Sequence, residues 1–191
     1  STLMRSSAAS DVYKRQLYGR NLSAGVIDLM AQYYKYGNGS DFNSMLGAYK
    51  YEEQNVKDVF QVIWEKAYAL ILNCNIIIEK CDENKAGLSP VWRGSIKGEA
   101  LALRAMLHFD MLRLFGPLTS ELDKESIPYQ TNSDQTVTPL LSGSEVVGLI
   151  LDDLKNAVGL LKDTDPYFVE EEFSDTCLLY TSDAADDRIS V

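Results

Sequence analysis

Gly98–Leu118 reads GEALALRAMLHFDMLRLFGPL, a mostly apolar segment closed by Gly-Pro. Ala100, Leu101, Leu103, Ala105, Leu107, Phe109, Met111, Leu112 and Leu114 would be apolar on nearly every side of a helix. A helix of that kind is buried between other helices. Gly116-Pro117 ends it, because proline cannot continue the backbone bonding and restricts the residue before it. The spacing predicts a helix from about Val91 to Phe115.

On the amino-terminal side of it, Val56, Phe60, Ile63, Ala67, Ile71, Cys74 and Ile78 repeat every three or four residues, predicting a helix from near Asn55 to about Cys81. Trp64 and Tyr68 widen its buried face. On the other side, Ser142-Gly143-Ser144-Glu145 is a capping-box pattern opening a helix to about Leu161. Its apolar stripe is Val146, Ile150, Leu154, Ala157 and Leu161, with Asp152, Asp153 and Lys155 facing water. A short helix is expected from Asn21, with Leu22, Val26, Leu29 and Met30 at helical spacing and Asn21 or Ser23 as N-cap. Between the helices lie a polar loop to about Leu141 and a tyrosine-rich loop through Tyr33, Tyr34, Tyr36, Gly37–Ser40, Tyr49 and Tyr51. No segment alternates as a strand does, so the fold class is all-α.

Both ends read as foreign to the protein. Ser6–Gln16 (SSAASDVYKRQ) and Cys177–Asp187 (CLLYTSDAADD) can be encoded by the two strands of one oligonucleotide resembling a transposase-type sequencing adapter. Such segments carry no folding information. Residues 1–16 and 177–191 are therefore expected to be adapter-derived, leaving 17–176 as the genuine helical region of an incomplete domain. The ends remove as many acidic as basic residues, so the formal charge stays at -10. An acidic surface repels phosphate backbones, and no basic run interleaved with aromatics offsets it, which argues against nucleic acid. No apolar stretch is long enough to span a bilayer.

Several residues invite sharper readings, and the plainer one is preferred for most. Cys74 and Cys81 lie about 10 Å apart along one helix, too far for a disulfide, and read as small apolar fillers. His108 has no Cys, His or carboxylate cluster beside it and reads as a core histidine, so no metal or cofactor is expected. Glu99 and Arg104 sit in an apolar helix, where an unpaired charge is costly; an ion-pair or capping role is expected. Asn73 and Asn75 read as bonding backbone between packed helices. No nucleophile–base pair, G-x-S-x-G elbow or phosphate loop is visible, so an enzyme is not expected. Tyr33, Tyr34, Tyr36, Tyr49 and Tyr51 differ, because clustered loop aromatics can stack on sugar rings and bond hydroxyls. They are the candidate ligand contacts; the competing reading plugs them onto a missing carboxy-terminal half.

Three motifs in order carry a family resemblance. Trp64, Tyr68, Ile71, Asn75 and Ile78 resemble the W-x-x-x-Y-x-x-I-x-x-x-N-x-x-I signature of the RagB/SusD family. Gly98-Glu99-Ala100, Leu103-Arg104-Ala105, Phe109, Leu112, Phe115, Gly116, Pro117 and Leu118 are similar to its GEA-x-x-LRA-x-x-x-F-x-x-L…FG…PL. Ser144, Glu145, Val146, Ile150, Asp152, Asp153, Leu154 and Ala157 resemble its third motif. FGPL departs from the many members with extra residues between glycine and proline, which touches only a loop. The resemblance covers Leu17 to about Pro166 and implies tetratricopeptide-like helical pairs. Here Trp64, Tyr68, Asn75, Glu99, Arg104, Phe109, Gly116 and Pro117 would be structural.

The resemblance implies a lipid-anchored protein of the outer-membrane surface that binds glycans or related nutrients. Its partner would be a SusC-like TonB-dependent transporter, and its only membrane attachment a lipid anchor on a cysteine upstream of Leu17. The rival class is an intracellular tetratricopeptide-like scaffold that binds peptides. A glycosidase is a third option, but no carboxylate pair at hydrolytic spacing stands out. Trp64 is expected to fill space between the two long helices; Trp64→Ala should cost about 3–5 kcal/mol in a chemical melt, and a change under about 1 kcal/mol would remove it from the core.

Overall fold

The computed structural model describes residues 17, 18, 22, 25–34, 41–134 and 137–165. Two short helices, α1 (Val26–Met30) and α2 (Phe42–Gly47), precede two long ones, α3 (Gln54–Glu83) and α4 (Pro90–Phe115). The strands β1 (Glu125–Pro128) and β2 (Leu140–Ser142) then lead into the helix α5 (Gly143–Thr164). The all-α class holds. Tyr36 and Gly37–Ser40 lie outside the described residues, as do Asn21 and Ser23; α1 begins later than expected, with Gly25 at its N-cap.

Helix α3 buries Val56, Ile63, Ala67, Ile71, Cys74, Asn75, Ile78 and Cys81, the stripe its periodicity requires. It stops at Asn84, which adopts φ 45. Asparagine tolerates this left-handed conformation because its short amide can bond locally: its Oδ1 accepts from the Leu88 N–H at 2.8 Å and its Nδ2 donates to the Leu88 carbonyl at 3.2 Å. Gly87, at φ +65, completes the reversal. Ser89 then caps α4 by accepting from the Trp92 N–H at 3.4 Å, with Pro90 in the first turn. Both cysteines are buried and free, fillers as their spacing implies.

Helix α4 is the middle layer, packed on α3 along one side and on α5 along the other. Gly98 lets α5 come close: a Cβ there would stand 2.7 Å from Leu161 Cγ and 3.3 Å from the Ala157 carbonyl. The capping box at the start of α5 forms, with Ser142 Oγ accepting from the Glu145 N–H at 3.3 Å and Glu145 accepting from the Ser142 N–H at 2.9 Å. The main core runs from Leu17, Val26 and Leu46 through Val56, Ile63, Ala67 and Ile71 to Leu107, Met111, Ile127 and Ile150.

Several expectations need correction. Helix α4 is not buried on every side: Leu103, Met106 and Phe109 are exposed, and the Arg113 guanidinium stacks over the Phe109 ring at 5.5 Å. Two neighbouring helices cover two faces and leave a third open. Glu99 is exposed without an ion-pair partner among the described residues, so its place in an apolar helix reflects the open face rather than a buried pair. Asn73 is also exposed. On α5 the buried stripe is Val146, Ile150, Asp153 and Ala157, while Leu154 is exposed. Both 153 and 154 satisfy helical spacing after Ile150, and the carboxylate is the one turned inward. The polar loop contains the antiparallel β1–β2 pair, with Glu125 opposite Ser142 and Pro128 opposite Leu140. Four and three residues are too few to display alternation. Phe42–Gly47 is helical where an irregular stretch was expected.

Trp64 is half-buried, edge-on to Phe115 at 5.0 Å between ring centroids and beside Tyr68 at 4.6 Å. It therefore packs between α3 and the end of α4 as expected, with one edge reaching solvent. Gly116 follows Phe115 where a Cβ would meet the Leu112 carbonyl oxygen at 2.4 Å and Ser126 Oγ at 3.0 Å.

The helix contacts separate two kinds of glycine. Gly98→Val should destabilise by about 1–3 kcal/mol through overpacking against α5. Gly148→Ala, at an α5 position with nothing within 4 Å of an added Cβ, should stabilise by about 0.5–1 kcal/mol. Urea unfolding of the two variants reads both signs.

Candidate functional site

Two assemblies carry chemistry. The first is the tyrosine patch. Tyr49 ends α2 at φ 56, a left-handed conformation that a bulky residue adopts only when its surroundings hold it there. Its phenol donates to the Met30 carbonyl at 2.6 Å, which joins the α2 end to the α1 end. Tyr33 and Tyr34 follow Met30 closely in the chain and are 78% and 57% exposed. Tyr51 lies with its ring centroid 6.1 Å from that of Tyr49, the planes inclined at 45°. Burial, then the neighbouring Tyr49 phenol, pushes the Tyr51 phenol above its usual range. The fold thus brings Tyr49 and Tyr51 together and places the α1 end beside them.

Behind the patch the aromatic contacts continue inward. Tyr51 packs edge-on to Phe60, Phe60 to Phe115 and Phe115 to Trp64. Trp64 lies beside Tyr68, Tyr68 is edge-on to His108, and His108 stacks on Tyr129 at 3.9 Å. The spacing of Phe60, Trp64 and Tyr68 at successive helical turns makes this run possible.

The second assembly is built around a buried ion pair. Arg104, 6% exposed, donates from Nε and Nη2 to the two carboxylate oxygens of Asp153, both at 2.7 Å. This bidentate geometry is the strong form of the interaction. Burial alone would lower the guanidinium pKa, but the hydrogen bonds and charge of Asp153 raise it above the usual arginine value. The Tyr129 phenol also donates to Asp153, at 2.7 Å. Arg104 Nη1 donates to Asn75 Oδ1 at 2.8 Å and to the Thr131 carbonyl at 3.3 Å. Asn75 donates in turn to the carbonyls of Gln130 at 3.2 Å and Asn132 at 2.9 Å.

His108 belongs to the same network and is fully buried. Its Nε2 accepts from the Gln130 N–H at 3.2 Å, so Nδ1 carries the proton and donates to the Arg104 carbonyl at 3.0 Å. Burial pushes its pKa down to about 4, consistent with a neutral ring whose two nitrogens are both engaged. Tyr68 donates to the Pro128 carbonyl at 2.9 Å, and Glu79 accepts from the Ser133 N–H at 2.7 Å and from its hydroxyl.

Of the expected structural residues, Tyr68, Asn75 and Arg104 meet in this network; Glu99 and Phe109 lie on the open face of α4. The ion-pair expectation for Arg104 holds, and the core reading of His108 holds. Reading the sequence missed Asp153, Tyr129 and Glu79. The available signal was the alternative stripe through Asp153, which places a carboxylate where an arginine on α4 needs a partner. Among the described residues no group of His, Cys, Asp and Glu is arranged to hold a metal ion. No described helix is long and apolar enough to cross a membrane.

The chain is similar to known proteins in both family profile and sequence. A SusD-like family profile, described as "Starch-binding associating with outer membrane", matches residues 14–176. The SusD-like protein P38 of Formosa agariphila is 35% identical over 96 residues, which are 49% of this chain and 17% of that protein. The chain therefore matches less than one fifth of the length of that relative.

The buried pair sets two expectations. Arg104→Met strands the Asp153 carboxylate and should cost about 3–5 kcal/mol, whereas Arg104→Met combined with Asp153→Leu should cost clearly less than the two single changes together. A double-mutant cycle in urea measures this coupling. For His108 the folded pKa lies below the unfolded value, so the unfolded chain binds more protons between them. Its contribution is then fully present above about pH 6.5 and is lost as pH falls towards about 4, by roughly 3 kcal/mol at most. Since His108 is the one histidine of the chain, an NMR titration of its ring reads the folded pKa without ambiguity, and a folded value above about 6 would contradict the burial.

Proposed function

The chain belongs to the SusD-like family, and from that membership we propose that it is part of a glycan-binding protein of the outer-membrane surface that hands its ligand to a TonB-dependent transporter. The observation that carries this reading is the family match over residues 14–176, whose description joins starch binding to association with the outer membrane. In this reading the protein recognises and transfers its ligand without breaking bonds. A lipid anchor on a cysteine upstream of Leu17 would hold it at the membrane.

Ligand contact is assigned to Tyr33, Tyr34, Tyr36, Tyr49 and Tyr51. Four of them are at least 45% exposed, although aromatic rings usually bury most of their area. Tyr49 adds backbone strain, which persists in proteins chiefly where the fold over-determines it and clusters at binding sites. Phenol rings offer a flat apolar face for a sugar ring and a hydroxyl for its rim. The residues thus have the chemistry of a carbohydrate platform, built on loops carried by a helical scaffold.

The test is calorimetric titration of the full-length protein with maltoheptaose. Tyr51→Ala should weaken binding about three- to tenfold, the scale of one lost aromatic contact, with the melting temperature somewhat lowered because the ring also packs edge-on to Phe60. Affinity equal to the parent in Tyr49→Ala, Tyr51→Ala and Tyr33→Ala alike would remove the patch from the binding site.

A further inference from the structure

The short segment after β1 is held in an unusual way. Two helices, α3 and α4, grip it by its main chain: His108 takes the Gln130 N–H, Asn75 binds the Gln130 and Asn132 carbonyls, and Arg104 binds the Thr131 carbonyl. Glu79 takes the next N–H, that of Ser133. The gripping atoms are themselves fixed by the Arg104–Asp153 pair, since Arg104 orients the Asn75 amide by donating to its oxygen.

With the main chain engaged inward, the side chains of Thr131, Asn132 and Asp134 are exposed and take no hydrogen-bond partner among the described residues. A buried guanidinium–carboxylate pair is a costly way to secure a connecting loop, because desolvation offsets much of its attraction. Its effect here is a surface segment with a rigid backbone and idle polar groups. Rigid presentation is what a binding contact needs, because ordering has already happened before the ligand arrives.

We propose that Thr131, Asn132 and Asp134 form a hydroxyl-reading contact for a neutral oligosaccharide, separate from the tyrosine patch; this rests on the glycan reading above. A hydroxyl, an amide and a carboxylate supply both donors and acceptors for the alternating hydroxyls of a sugar. The Asp134 charge favours hydroxyl donors and opposes sulfated or carboxylated sugars. Along α3, Asn75 stands about 22 Å from Phe60, which backs the tyrosine patch. The two contacts are therefore distinct stations on one scaffold.

The grip uses main-chain atoms, so the side chains can be removed without disturbing it. In calorimetric titration of the full-length protein with maltoheptaose, Thr131→Ala with Asn132→Ala should bind about tenfold more weakly, as two lost hydrogen bonds require, at an unchanged melting temperature. If that variant melts lower, Asn132→Asp takes its place, keeping the shape while losing the amide donors, and is expected to weaken binding in the same direction. Parental affinity in these variants, with Tyr51→Ala still weakened, overturns this contact and leaves the glycan reading standing. If the parent protein binds neither maltoheptaose nor any other neutral oligosaccharide of a panel, the glycan reading and this contact fall together.

Discussion

Arg104 and Asp153 meet through two parallel hydrogen bonds in the buried space between α4 and α5. The pair joins α4 to α5, and through Asn75 it reaches α3, so one guanidinium touches all three long helices. Apolar packing between these helices is non-directional and would tolerate a range of registers. The pair does not, because its two parallel hydrogen bonds require one axial and rotational setting of α4 against α5. The Tyr129 phenol, Asn75 amide and surrounding carbonyls satisfy the remaining polar atoms, which makes a buried charge tolerable.

This constraint explains an otherwise awkward arrangement of the loop between α4 and α5. Its two strands are very short, and an isolated hairpin of that size is marginal in water. Here Ile127 is fully buried and Tyr129 nearly so, while the following residues are bonded to helix side chains. The helices organise the loop, and the strand pairing follows from that. His108 takes part as a neutral group with one donor and one acceptor, a role for which imidazole is suited and a charged side chain is not.

The long helices were legible because their signals are local and repeated. Val56 to Cys81 recur at helical spacing, Gly116-Pro117 stops α4 one residue after the observed end, and Ser142 with Glu145 announces α5. Which faces stay open was not legible. Leu103, Met106 and Phe109 read as core by composition, and only the placement of α3 and α5 shows them uncovered. Asp153 reads as solvent-facing because acidic residues usually lie there; its burial depends on a partner 49 residues away in the chain. Of the candidate ligand contacts, the sequence brought the tyrosines to notice through composition alone. That Tyr49 reaches the Met30 carbonyl and lies beside Tyr51 depends on how α1 and α2 pack, which no periodicity encodes.

The main-chain grip on Gln130–Ser133 also bears on how such a protein diversifies. Where a loop is shaped by its own side chains, each substitution risks its conformation, and new specificity arrives together with lost order. Here the conformation is dictated by Asn75, Arg104, His108 and Glu79 acting on carbonyls and N–H groups that nearly every amino acid possesses. Exchange of Thr131 or Asn132 alters what the segment displays while its path stays the same. Shape and surface chemistry are thereby separable, and point mutation can change what this segment displays at constant architecture.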